Sequence, residues 1–127
     1  MSDAANELDR VFVSEPLKSE VSKITELVAS AAEPVADSVE GSALYFLGCV
    51  FARALKLGSW SSPHITLSEN NEIVFEWWHG TKKITLYFGE SGAEYIKVWG
   101  TDIETEMDSG PLRDDWSLTS LWIWLNH

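Results

Sequence analysis

EIVFEWWHGTKKITLYFGESGAEYIKVW, residues Glu72 to Trp99, spells a three-strand antiparallel meander with both turns legible. In its first segment Ile73, Phe75 and Trp77 alternate with Glu72, Val74, Glu76 and Trp78, the period-two pattern of a strand that buries one face. His79-Gly80 reads as a two-residue hairpin turn, with Gly80 free to take a positive φ. That turn predicts Phe75 opposite Ile84, Ile73 opposite Leu86 and Glu76 opposite Lys83, so that apolar meets apolar and acid meets base. Gly89-Glu90-Ser91-Gly92 returns the chain, and an odd-numbered loop there predicts Ile96 and Val98 on the core face with Ile84, Leu86 and Phe88. On that parity Val74, Trp78, Tyr87, Tyr95 and Trp99 share the opposite face with Glu76, Lys83 and Lys97.

Upstream, His64–Leu67 reads as a preceding strand, and two helices come before it. The first runs from Ser14, which can cap it, through Pro16 in the first turn; Leu17, Val21, Ile24, Val28 and Ala31 form its apolar stripe, and Lys18, Glu20, Lys23 and Glu26 its polar side. Glu33-Pro34 ends it, because the residue before proline is pushed out of the helical region. The second helix, from about Ser38 to Leu57 with Gly58 as C-cap, is apolar nearly all round its middle, as a central helix is. Downstream, Thr101–Met107 reads as a further strand stopped by Ser109-Gly110-Pro111. A closing helix over Asp114–Leu125 stripes Leu118, Leu121, Trp122 and Leu125 along one side. The expected architecture is one α+β domain over 14–127: two N-terminal helices, an antiparallel meander of four to five strands and a C-terminal helix, preceded by a flexible acidic arm at 1–13.

The 127 residues suffice for one domain with a core, and seven tryptophans add to its apolar content. The net charge of −11 is uneven: −6 over residues 1–40, zero over 41–100 and −5 over 101–127. A field of this sign repels phosphate backbones and anionic membranes and steers the chain toward basic partners, or it serves solubility alone. Direct nucleic-acid or membrane binding is therefore not expected. Cys49, the one cysteine, lies in the apolar run ALYFLGCVFA and reads as a buried structural residue in a reducing compartment. With acids where a signal peptide needs bases, and no apolar run judged long enough to span a membrane, the expected location is cytoplasmic.

Along FEWWHG-KKITLYF-EYIKVWG the chain resembles a family of small uncharacterised bacterial and phage proteins with an acidic-aromatic strand, a hairpin, and a later acid-rich strand before G-x-L and a closing helix. Phe75, Glu76, Trp77, Trp78, Gly80, Ile84, Leu86, Tyr87, Tyr95, Trp99, Gly100, Met107, Gly110 and Leu112 carry the likeness, over roughly the C-terminal half. What the resemblance implies is a meander and, by analogy with mobile-element proteins, toxin neutralisation, immunity or anti-defence work. It brings no catalytic residue with it.

Two constellations stand out. Asp102, Glu104, Glu106 and Asp108 alternate with Ile103, Thr105 and Met107, so an extended strand would place four carboxylates on one side. That strip suits docking of a basic protein, or protection of an edge strand against aggregation. A calcium loop is disfavoured, because Met107 stands where the tight turn needs glycine and no closing glutamate follows. The second constellation is the aromatic face, where Trp78, Tyr87, Tyr95 and Trp99 could anchor a protein partner, stack a sugar, meet a second copy of the chain, or lie beneath a helix. His64, His79 and His127 have no metal-site spacing, and nothing supplies a nucleophile or oxyanion site beside Glu76 and His79. No catalytic residue, metal or cofactor is expected. The reading is a non-enzymatic acidic module, of the inhibitor, immunity or antitoxin kind, that binds a basic protein such as a nucleic-acid-binding protein or toxin through Asp102, Glu104, Glu106, Asp108, Trp78, Tyr87, Tyr95 and Trp99. The alternative is a small-ligand or carbohydrate module using Trp78, Tyr87 and Trp99.

Overall fold

The computed structural model describes residues 15–57, 59–113 and 115–127. The arm at 1–13, the Ser14 cap, the Gly58 C-cap and the Asp114 helix start fall outside them, as does the Trp116 side chain. The elements run α1 (Glu15–Ser30), α2 (Asp37–Leu57), β1 (His64–Leu67), β2 (Ile73–His79), β3 (Lys82–Gly89), β4 (Gly92–Val98), β5 (Met107–Pro111) and α3 (Asp115–Asn126). The five strands form one antiparallel sheet in sequential order, and the fold is α+β.

The core forms where three helical stripes meet one face of the sheet. Leu17 and Ile24 of α1, Val39, Ala43, Leu47 and Val50 of α2, and Leu118, Leu121, Trp122 and Leu125 of α3 are buried against Ile73, Phe75, Trp77, Ile84, Leu86 and Phe88. Each buried Val, Leu, Ile or Phe among them contributes about 1.5–3 kcal/mol of transfer free energy. Aromatic edges interlock through it, with Phe75–Phe88 centroids 4.9 Å apart and Trp77–Trp122 5.4 Å apart. The Trp77 indole donates to Ser61 O at 2.9 Å and the Trp122 indole to Ser59 Oγ at 2.9 Å, so the α2–β1 connection is tied to the core by two N–H groups that burial would otherwise strand. The β1–β2 turn is held likewise. Asn71 takes φ 63°, and its amide nitrogen donates to Glu33 O and Pro34 O, which fastens the turn to the link between α1 and α2.

α2 is the central helix, touching α1, α3 and the sheet. By length and composition it could cross a membrane, contrary to the reading that no apolar run is long enough, but half of that window is buried inside the fold, as in a core helix. Glu20 departs from its assigned polar side. Its place three residues after Leu17 and four before Ile24 puts it in the apolar stripe, where it is 2 % exposed and pairs with Lys23 at 3.1 Å.

Three features of the sheet correct the sequence reading. In the β2–β3 hairpin the loop is Gly80-Thr81 rather than His79-Gly80, so Phe75 faces Leu86, Ile73 faces Phe88 and Glu76 faces Thr85. The reason is backbone cost: with Gly80 first, at φ 63°, only one central residue needs a positive φ, as in a type II′ turn, and histidine is spared it. A slip of two residues keeps every side chain on its assigned face. The β3–β4 loop is Glu90-Ser91, closed by the Gly89–Gly92 pair, and here the slip is odd. Leu86 faces Tyr95 and Ile84 faces Lys97, so Tyr95 and Lys97 lie on the helix side while Ile96 and Val98 lie on the other. Finally, the strand near the C-terminus is Met107–Pro111, which takes in the Ser109-Gly110-Pro111 expected to stop it, and Thr101–Glu106 is a loop. Pro111 is tolerated as the last residue of an edge strand, and Gly110 is covered by the Tyr95 ring of its cross-strand neighbour.

Candidate partner-binding surface

With the three described helices gathered on one side, the other face of the sheet carries no described helix. Val74 is buried on that face yet stands outside the core cluster. The β-ladder arranges the face in rows. One runs Trp78, Lys83, Val98, Met107 across β2 to β5; the next runs His64, Glu76, Thr85, Ile96, Ser109; a third runs Thr66, Val74, Tyr87, Glu94, Pro111. Trp78 is 55 % exposed and Met107 37 % exposed. Lys83 Nζ lies 5.2 Å from the centre of the Trp78 ring, and its ammonium also pairs with Glu76 at 2.6 Å, a diagonal contact that survives the register shift. His64 stands 6.3 Å from Trp78, ring to ring. The first row is thus an indole braced by a lysine and continued by Val98 and Met107.

The acidic residues beside this row do not form a strip. Thr105 N and Glu106 N both donate to Asp102 O, at 3.2 and 2.7 Å, which makes residues 102–106 a single helical turn. Asp102 Oδ1 accepts from Glu104 N at 3.0 Å, and Glu106 Oε1 accepts from Asp102 N at 3.3 Å. This reciprocal pattern follows capping-box logic: carboxylates satisfy the amides that a helix start leaves unpaired. Trp99 N donates to Glu106 O at 3.1 Å and closes the loop, and the Glu106 carboxylate lies where a Cβ at Gly100 would collide with it. Alternating acids therefore stabilise a turn instead of repelling one another along a strand. Asp108, in β5 opposite Lys97, accepts a hydrogen bond from the Tyr95 hydroxyl at 3.2 Å. Partial burial, and then the charge and hydrogen bond of Asp108, push the Tyr95 phenol above its ordinary pKa.

The four aromatic residues assigned to one surface are divided between two. Trp78 and Tyr87 lie on the open face. Tyr95 faces α3, and Trp99 packs edge-on against Trp124 of α3 at 6.0 Å. A sugar-stacking platform of Trp78, Tyr87 and Trp99 together does not form. Ile96, Val98 and Met107 join the open face instead, and the signal that marks them is the even, two-residue loop between Gly89 and Gly92. Ile103 at the loop tip is 67 % exposed. Glu76 is engaged by Lys83 rather than His79. Among the described residues no group of three or more His, Cys, Asp or Glu is placed to hold a metal ion. Cys49 is buried and not disulfide-bonded.

No protein-family model, curated protein or solved structure matches this chain.

Proposed function

We propose that this protein is a non-enzymatic acidic binding module that engages a basic protein partner through the open face of its sheet, as an inhibitor, immunity protein or antitoxin does. The observation that carries the reading is the row Trp78, Lys83, Val98, Met107: a half-exposed indole at the end of an apolar band, on a face that no described helix covers, in a chain of net charge −11. Tryptophan at the centre of an interface commonly carries 2 kcal/mol or more, roughly a 30-fold change in affinity. Glu94 lies on the same face and Glu104 is exposed on the adjoining loop. The partner is basic because the field of the chain repels phosphates and attracts Lys- and Arg-rich surfaces, and an acidic protein competes directly for a cleft that holds nucleic acid.

The test is affinity capture from the source cell at low and moderate salt, with the wild-type chain, Trp78→Ala, and the double variant Glu94→Lys, Glu104→Lys. The four-lysine replacement of Asp102, Glu104, Glu106 and Asp108 is unsuitable, because Asp102 and Glu106 hold the loop. The expected result is one basic protein retained by the wild type, weakened by salt and lost in both variants. Retention indifferent to Trp78 contradicts the reading, as does an empty capture.

A further inference from the structure

The other side of β4 carries a second surface of opposite character. Tyr95 and Lys97 face α3, where Ser117, Ser120, Leu121 and Trp124 follow at helical spacing along one side. Between the two lies an open cleft of ≈ 220 Å³ lined by Tyr95, Lys97, Pro111, Ser117, Ser120 and Leu121. Lys97, which lines the cleft, shares one indole with Lys82: their ammonium groups lie 5.1 and 5.2 Å from the centre of the Trp124 ring, and Lys82 Nζ also donates to Trp124 O at 2.9 Å.

Two cations meet here on a strongly acidic chain, and among the described residues neither is ion-paired with a carboxylate. For Lys97 the register makes this notable. Asp108 is its direct cross-strand partner, yet that carboxylate is taken by the Tyr95 hydroxyl while the lysine turns to Trp124. The Lys97 side chain lines the cleft, and its ammonium rests on a neighbouring ring that attracts it without neutralising it. Ser120, exposed on α3, offers a hydroxyl donor within the same lining. The remaining walls are the Tyr95 ring, the Pro111 ring and Leu121. Such a volume lies below the about 300 Å³ at which sites for drug-sized ligands begin, so the occupant is small.

We infer that the β4–α3 cleft binds a small planar carboxylate, its anionic end on Lys97 and Ser120 and its flat body against Tyr95, Pro111 and Leu121. A charge-assisted hydrogen bond from Lys97 supplies the specificity, and the apolar walls select a ring over a hydrated ion. The site is separate from the open face, so it stands or falls independently of partner binding.

The experiment is an NMR titration of the 15N-labelled full chain with benzoate, with benzyl alcohol and inorganic phosphate as controls. Benzoate should give saturable shifts of the Tyr95, Lys97, Ser120 and Leu121 amides, with a dissociation constant roughly in the millimolar range, while Trp78 and Val98 stay unmoved. Lys97→Met should weaken binding by about tenfold or more, and Ser120→Ala, an exposed and structurally mild change, by about threefold. The inference is overturned if no saturable shift appears in the cleft, if both variants bind as the wild type does, or if benzyl alcohol or phosphate binds as well as benzoate.

Discussion

β2 and β4 are both alternating strands, two places apart in one sheet, and they part the two sides in different ways. In β2, Ile73, Phe75 and Trp77 are buried beneath the helices while Glu76 and Trp78 reach outward. In β4 no residue is buried, and both of its sides are partly covered. Where the core presses on a strand, a one-residue slip would expose Phe75 and bury Glu76, so hydrophobic contrast sets the facing. Toward the edge the contrast is weak, and the turn decides instead: the two-residue Glu90-Ser91 loop sends Tyr95 and Lys97 inward and leaves Ile96 and Val98 outside. The inward pair is amphipathic, with Tyr95 bonded to Asp108 and Lys97 laid over Trp124, so polar ends reach partners at the rim without entering the core.

The two strands differ most at their apolar positions. Phe75→Ala should destabilise the fold by about 3–5 kcal/mol, whereas Ile96→Ala should cost no more than about 1 kcal/mol. Urea denaturation of the two variants measures the difference, and equal losses would return Ile96 to the core. Next in size is Gly100→Ala at the exit of β4, where the new Cβ displaces the Glu106 carboxylate from the hydrogen bond it accepts from Asp102 N; a loss of about 1–3 kcal/mol is expected. Pairing it with Glu106→Ala in a double-mutant cycle should recover part of that loss, which ties the cost to this contact rather than to the backbone.

Neighbouring tryptophans sharpen the contrast within β2 itself. Trp77→Phe removes the indole N–H bonded to Ser61 O and should cost about 1–2 kcal/mol, while Trp78→Ala should change stability by about 0.5 kcal/mol or less. Thermal melts of both variants check the ranking. The smallest effect concerns pH. The Tyr95 pKa is raised in the folded state, so the unfolded chain releases that proton first, and the group's contribution is present below pH 10 and lost as pH rises through the folded-state pKa. Tyrosinate absorbance should show one tyrosine titrating above its ordinary range, and Asp108→Asn should bring it back toward 10.

Most of the fold was legible where burial is complete. The stripes Leu17–Ile24 and Leu118–Leu125, and the faces of β2 and β3, follow directly from apolar spacing. The acid run was not, because alternation from Asp102 to Asp108 looks like a strand until the amides of Asp102 and Glu104 are seen to be satisfied by carboxylates. Glu20 reads as polar by residue type, but its spacing from Leu17 and Ile24 puts it in the stripe. As for the candidate surface, Trp78 and Tyr87 were placed correctly, since an even slip in β2–β3 preserves facing. Tyr95 and Trp99 were not, since the slip in β3–β4 is odd.

Hydroxyl-radical footprinting of the chain alone and mixed with its captured partner shows whether the open sheet face is the binding face. The account predicts protection of Trp78 and Met107, with Tyr45, Leu55 and Ile123 on the helical side reacting as freely as before. Protection of Tyr45, Leu55 or Ile123 with Trp78 still open would contradict it and move the interface to the helices.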